Sequence, residues 1–330
     1  MRIHVQNPAD EAIFPITPAQ WANAVRRSPD MADLQVSFAS DEAGYQQAMA
    51  EAEALVTWTR IVHERFPRGA LPAAAPKLRM IFCTSAGLDR LAPFDWLPDE
   101  VVLLNNRGTH GAKAGEYGLM ALLMLANHIP YFADQQRQGQ WQPRFASVLA
   151  GRTVCVVGLG TLGGAVAERA KQFGMHVIGV RGGSAPHPAC IRVVPQAEMD
   201  AVLPEAEFLV LACPLTPQTQ GLLDRRRMER LPPGAKLVNI GRGGLWDQEA
   251  LCDLLDSGHL GGAVTDVAVP EPLPPGHRMW RTPGLFITPH MSSDDPITYN
   301  DQSLDILFEN IRAMRAGRPW LNRVEPGRGY

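Results

Sequence analysis

Short apolar runs alternate with amphipathic stretches along the chain, the pattern of parallel sheets with helices on both faces. In the first third, runs at Arg2–Val5, Leu34–Phe38, Ala54–Trp58, Lys77–Cys83 and Val101–Leu104 predict strands, with helical patterns between them. One helix starts at Thr17-Pro18, a capping residue followed by the ring that suits the first helical position. Another runs from Asp41 to Ala52. From about Lys113 to Gln138, leucine and methionine recur at helical spacing, which predicts one long helix suited to connecting two domains. A second alternation begins at Arg152, with strands in TVCVVG and MHVIGV and at Glu207–Cys213, Lys236–Ile240, Gly262–Val267 and Leu285–Thr288. The last helix, Tyr299 to Ala316, resumes the amphipathic style of the first third. The Pro/Gly clusters Pro232-Pro233-Gly234 and Pro270–Gly276 read as loops.

Composition narrows this picture. At roughly 150 residues per domain, 330 residues predict two domains. A formal charge of −3 argues against a nucleic-acid or anionic-membrane partner. The cysteines, Cys83, Cys155, Cys190, Cys213 and Cys252, are odd in number and have no close pairs. That argues against a disulfide framework or a zinc ribbon and fits a reducing cytosol. The opening MRIHVQNPAD lacks the apolar core of a signal peptide. The most apolar run, Tyr117 to Ala126, stops at Asn127 and His128, short of the ~20 residues that cross a bilayer.

Candidate chemistry begins at Gly158-Leu159-Gly160-Thr161-Leu162-Gly163, a GxGxxG hexapeptide between a buried-strand run and an amphipathic helix. In that context each glycine has a physical task. Gly158 allows the tight turn, Gly160 lets backbone approach a pyrophosphate, and Gly163 lets helix and strand pack closely. The helix start, with Thr161 and Leu162, offers unpaired N–H groups to phosphate. Dinucleotide binding is the reading. After the second strand, where an NAD site places a carboxylate, stand Arg181, Gly182, Gly183 and Ser184. A cation with small neighbours suits a 2′-phosphate, so NADP(H) is favoured, with NAD(H) as the alternative.

Three later segments carry reactive residues in loops that follow strands: NIGRGG (Asn239–Gly244), DVAVPEPLPP (Asp266–Pro275) and ITPHMSS (Ile287–Ser293). Loops at the carboxyl ends of parallel strands line the ligand crevice, which brings Arg242, Glu271 and His290 toward one site. His277 reads as a plain loop residue.

The order and spacing of GLGTLGG, ACPLTPQTQGLL, LVNIGRGGLWD, DVAVPEPLPP with Trp280, and TPHMSS resemble the D-isomer-specific 2-hydroxyacid dehydrogenase family over about Arg152 to Ser293. A weaker likeness reaches TSAGLDRL and the terminal NRVEPGRGY. The resemblance implies that Arg242, Glu271 and His290 are the catalytic set. His290 would donate a proton to a keto oxygen, Glu271 would hold the imidazole and favour its acid form, and Arg242 would bind the substrate carboxylate. It further implies that Asp266 meets the nicotinamide carboxamide, with Ile240 on the nicotinamide side and Pro214 and Thr219 on the adenosine side. Backbone N–H groups at Ala86 and Gly87 would meet the substrate carboxylate, and Trp58 and Arg60 would shape the pocket. Two departures stand out. HRMW lacks the proline common before the last two residues of that segment, and Ala114-Gly115-Glu116-Tyr117 replaces a VAEH-like pattern.

The implied architecture is α/β, with two Rossmann/flavodoxin-like doubly wound domains. A nucleotide-binding domain (111–292) is inserted into a discontinuous substrate domain (1–110 and 293–330). Ligand would bind in the crevice between the domains, which would close on it by a hinge. The implied activity is D-specific hydride transfer between NADP(H) and a small 2-oxo or 2-hydroxy acid of the glyoxylate/hydroxypyruvate type, in a cytoplasmic homodimer. The alternatives are an NAD-linked dehydrogenase of a bulkier acid and a non-catalytic dinucleotide sensor. Phosphoglycerate dehydrogenase is disfavoured because the chain ends soon after the last helix.

Overall fold

The apolar runs become the strands of two all-parallel sheets. The computed structural model describes residues 1–9, 14–65, 71 and 75–325; of the terminal NRVEPGRGY stretch, 326–330 lie outside these. The chain divides into two units, Met1–Thr109 with Asp295–Tyr330, and His110–Asp294.

In the first unit β1 (Arg2–Gln6), β2 (Gln35–Ala39), β3 (Ala54–Thr57), β4 (Met80–Cys83) and β5 (Val102–Leu104) are ordered β2-β1-β3-β4-β5. Side chains alternate between faces along each strand. Ile3, Val5, Val56 and Phe82 join a core with Trp21 and Phe308. Leu55, Ile81, Cys83 and Leu103 face a second core with Tyr45 and Met49. Burial on both faces explains why these strands read as near-continuous apolar runs. The helix Pro18–Arg27 opens on a reciprocal cap, in which Thr17 Oγ1 accepts from Gln20 N and Gln20 Oε1 accepts from Thr17 N. Asp41 caps the helix Glu42–Met49 through the Gly44 N–H at 2.7 Å.

In the second unit β6 (Thr153–Val157), β7 (His176–Arg181), β8 (Arg192–Pro195), β9 (Phe208–Leu211), β10 (Ala235–Asn239), β11 (Leu260–Thr265) and β12 (Leu285–Ile287) are ordered β12-β11-β10-β9-β6-β7-β8. Val154, Val156, Val177 and Val210 face one core, and Cys155, Val157, Ile178 and Leu211 face the other. The winding reverses between β6 and β9, the switch point at which open parallel sheets receive ligands. Both units are doubly wound, Rossmann-like layers. Among the described residues no helix is long and apolar enough to cross a membrane.

Two elements depart from the sequence pattern. The single helix expected over Lys113–Gln138 is two helices, Gly111–Ala126 and Ile129–Arg137. His128 between them has φ 56°, a left-handed conformation that ends an α-helix, and Pro130 opens the next. Strand β8 has no counterpart in the pattern reading. It is a four-residue edge strand whose residues are exposed or half-buried, so its RVVP sequence carries little of the apolar signal of the inner strands.

Candidate active site

Register lines up the carboxyl ends of six strands of the second sheet. Val180 pairs with Val157, Val157 with Leu211, Leu211 with Asn239, Asn239 with Thr265, and Thr265 with Ile287. The residues that leave this row are Arg181, Gly158, Ala212, Ile240, Asp266 and Thr288. The sequence-selected residues of this unit therefore stand in or just beyond one edge of one sheet.

At the glycine-rich turn each glycine answers to a different constraint. Gly158 has φ 95°, and a Cβ there would lie 2.6 Å from Cys213 N. A Cβ on Gly163 would lie 1.8 Å from Gly158 O, so helix and turn approach as only glycine permits. Gly160 is the opposite case: a Cβ on it would meet nothing within 4 Å. It is also the N-cap of the helix Thr161–Gln172, with no side-chain cap on the first N–H groups. The turn thus presents open space and uncapped donors, which is what a pyrophosphate needs. Arg181 is half-buried at the end of β7, Ser184 is exposed, and Gly182 and Gly183 leave open space beside them.

On the other side of the switch point, Glu271 and His290 meet. Glu271 Oε2 lies 3.0 Å from His290 Nδ1, and Glu271 Oε1 accepts the Ala268 N–H at 3.0 Å. The imidazole keeps 45% of its side-chain surface exposed against 22% for Glu271. One ring nitrogen is thus tied down while the ring remains accessible. Arg242 follows β10, and its Nη1 donates to Gly241 O at 2.8 Å. Its loop is shaped by the fully buried Asn239, which accepts from Gly241 N and donates to Arg242 O, both at 3.0 Å. Gly243 lets this loop press on the one after β11, since a Cβ would fall 2.3 Å from the Ala268 carbonyl carbon.

Asp266 is 1% exposed, and its carboxylate is heavily engaged. Oδ1 accepts from Thr288 Oγ1 at 2.6 Å and Met291 N at 2.9 Å, and Oδ2 accepts from Ser292 N at 2.8 Å. Its backbone carbonyl accepts His290 N at 2.8 Å. In this structure Asp266 builds the turn that carries His290. Thr219 likewise closes its own loop, donating to Pro214 O at 2.7 Å and accepting from Thr216 N at 2.7 Å. It is buried, while Pro214 is exposed. Ile240 is buried among the core residues. His277 caps the short helix Arg278–Arg281 through Met279 N. Nearby, burial lowers the His110 pKa and raises that of Asp294.

In the first unit, Ala86 and Gly87 lie half-buried in the loop after β4. Asn105 Nδ2 holds Ala86 O at 3.0 Å, and Asn106 Nδ2 holds Thr84 O at 3.1 Å. Trp58 is half-buried at the end of β3. Arg60 is exposed on the helix Thr59–Arg65, with Glu64 one turn on at 3.7 Å.

The sequence reading did not select Asn239 or Thr288. A polar residue that ends an otherwise apolar strand is the signal that marks both.

The model of the D-isomer specific 2-hydroxyacid dehydrogenase NAD binding domain matches residues 119–292. The chain belongs to the D-isomer specific 2-hydroxyacid dehydrogenase family. The glyoxylate reductase/hydroxypyruvate reductase of Mus musculus is 32% identical over 251 residues, 73% of this chain and 75% of that one. The D-3-phosphoglycerate dehydrogenase of Mycobacterium bovis is 30% identical over 259 residues, 78% of this chain. The match spans only 49% of that protein, so the chain covers about half the length of such relatives. Among solved structures, a D-isomer specific 2-hydroxyacid dehydrogenase from Xanthobacter autotrophicus Py2 in complex with NADPH and MES has a TM-score of 0.84 at 29% identity. That match covers 100% of this chain and 99% of the other.

Proposed function

We propose that this chain reduces a small 2-oxo acid, of the glyoxylate/hydroxypyruvate type, with NADPH. The observation that carries this reading is the His290–Glu271 pair at 3.0 Å, on the same sheet edge as the open glycine turn. A nicotinamide cofactor held at the glycine turn would supply the hydride that the carbonyl carbon receives. His290 supplies the proton to the carbonyl oxygen, using Nε2 because Nδ1 is occupied by Glu271. Glu271 fixes the ring's tautomer and orientation, and its own position is fixed by Ala268 N. Arg242 offers a planar fork for the substrate carboxylate and polarises the keto oxygen. In the oxidative direction His290 acts as the base.

Backbone N–H groups at Gly160, Thr161 and Leu162 would hold the pyrophosphate, with Gly158 and Gly163 shaping their turn. Arg181 and Ser184 would hold the 2′-phosphate. Pro214 and Thr219 would flank the adenosine side, and Ile240 and Asp266 the nicotinamide side. NADP(H) over NAD(H) rests on Arg181 and on the NADPH-bound relative structure. The D-specificity, and a part for Ala86, Gly87, Trp58 and Arg60 in substrate recognition, rest on resemblance alone. The proposed division of labour puts the cofactor and the catalytic set on 111–292 and the further substrate recognition on 1–110 and 293–330. Free cysteines support a cytoplasmic setting. Trp141, 98% exposed, and Phe145, 92% exposed, support a homodimer that covers them.

An initial-rate panel of 2-oxo acids run with both NADPH and NADH tests the proposal. Fast NADPH oxidation with glyoxylate or hydroxypyruvate is expected. Turnover only with NADH and bulkier acids, or tight NADPH binding without turnover, would overturn it.

A further inference from the structure

A chain of hydrogen bonds leads from the helix Gly111–Ala126 to the turn that carries His290. The Tyr117 hydroxyl lies 2.6 Å from Thr288 Oγ1, and Thr288 Oγ1 lies 2.6 Å from Asp266 Oδ1. Chemistry fixes the direction of both bonds. The Thr288 hydroxyl donates to Asp266 Oδ1, so its single proton points there. Its lone pair then faces Tyr117, and the phenol must be the donor. Tyr117 is 4% exposed, and burial pushes its pKa up to about 12, so it holds its proton throughout the physiological range.

Downstream of Asp266 everything converges on one residue. The carboxylate receives Met291 N and Ser292 N, and the backbone carbonyl receives His290 N. His290 itself has φ 54°, a left-handed conformation that a non-glycine residue keeps only where its surroundings impose it. The Asp266 bonds are that imposition. They set where the imidazole stands relative to Glu271. Without the Tyr117 donor, the Thr288 hydroxyl has an unmet lone pair and is free to rotate away from Asp266. The buried carboxylate would then lose one of its three donors.

The geometry points to Tyr117 as a positioning residue for His290, acting through Thr288 and Asp266. This rests on the reading of His290 as the proton donor. Tyr117 touches no reacting atom in this scheme, and its effect is confined to the precision of the acid.

The test is steady-state kinetics of the full chain with NADPH and hydroxypyruvate, on Tyr117→Phe, Thr288→Val, the double variant and His290→Ala. Removal of the phenol oxygen alone is expected to lower kcat about 10-fold, within the scale of a sub-ångström misplacement of a catalytic group. The KM for NADPH is expected to stay within about 2-fold, since the glycine turn is untouched and Asp266, on the nicotinamide side, keeps the Met291 and Ser292 N–H donors. The double variant is expected to be no slower than Thr288→Val, because serial links are not additive. A kcat for Tyr117→Phe within 2-fold of the parent overturns the proposal, as do losses that multiply in the double variant or a rise in KM at constant kcat. If Tyr117→Phe does not fold, Thr288→Ser against Thr288→Val reads the same link. Serine near the parent rate and valine well below it supports the proposal, and equal rates overturn it. His290→Ala separates the two levels. Normal turnover in that variant sinks the reading of the site itself, whereas its inactivity beside an unaffected Tyr117→Phe sinks only the role of Tyr117.

Discussion

Glu271 holds His290 from one ring nitrogen, with Oε2 3.0 Å from Nδ1, while its other oxygen is held by the Ala268 N–H. The pair is therefore oriented before any substrate arrives. His290→Ala is expected to reduce turnover ~10²–10⁴-fold, the usual scale for a positioned acid–base group. Glu271→Gln should cost less than His290→Ala, because the ring survives and only its orientation weakens. Single-turnover rates check both, and a near-normal His290→Ala would remove the residue from the mechanism.

The proposed cofactor choice turns on a different residue, Arg181. Arg181→Asp replaces a cation by a group that repels a 2′-phosphate and accepts from a ribose hydroxyl. The ratio of kcat/KM for NADPH to that for NADH should fall well below the parent's. An unchanged ratio would make Arg181 an ordinary surface cation.

Alanine at two glycines of the same turn should act in opposite ways. Gly163→Ala puts a methyl 1.8 Å from Gly158 O and should destabilise the fold by about 1–3 kcal/mol, seen as a lower Tm. Gly160→Ala meets nothing within 4 Å of its new methyl. It should keep the parent's Tm and lose NADPH affinity, measured by fluorescence titration. A Tm loss at Gly160 as large as that at Gly163 would contradict the open cradle.

His4 gives the fold an acid-side weakness. It is 1% exposed, with Ser37 Oγ and Gln6 Oε1 each 2.9 Å from a ring nitrogen, and burial lowers its pKa. A group with a depressed folded pKa binds fewer protons folded than unfolded, so this contribution to stability is present above the ordinary value of 6.5 and is lost as pH falls below it. Tm measured from pH 7.5 to 5.5 should fall more steeply for the parent than for His4→Asn. Equal slopes would show that His4 does not titrate differently on folding.

What was legible in the sequence was what depends on neighbours in sequence. The turn at Gly158, Gly160 and Gly163 reads directly, because its three constraints sit within six residues. Inner strands such as Val154–Val157 read directly because both faces are buried. The break at His128 did not: nothing in the leucine and methionine spacing marks a histidine that takes a left-handed conformation. Strand β8 was missed because an edge strand is partly solvated and need not be apolar. The Tyr117–Thr288 bond joins residues 171 apart, and only the register of β11 and β12 brings Thr288 beside Asp266. Arg242, Glu271 and His290 could be selected from the three post-strand segments, but the 3.0 Å pairing and the Asp266 scaffold behind it required coordinates.

The strand order has a consequence for how such a protein can change. His290 follows β12 and Arg181 ends β7, five strand steps apart in the sheet. At ~4.8 Å per step the two strands lie ~24 Å apart, about three Debye lengths at physiological ionic strength. On the proposed reading, the charge that would select a cofactor and the acid that would deliver a proton are electrically insulated from each other. With those roles, a lineage could trade one dinucleotide for the other by mutation at β7 without retuning the proton chemistry beyond β12.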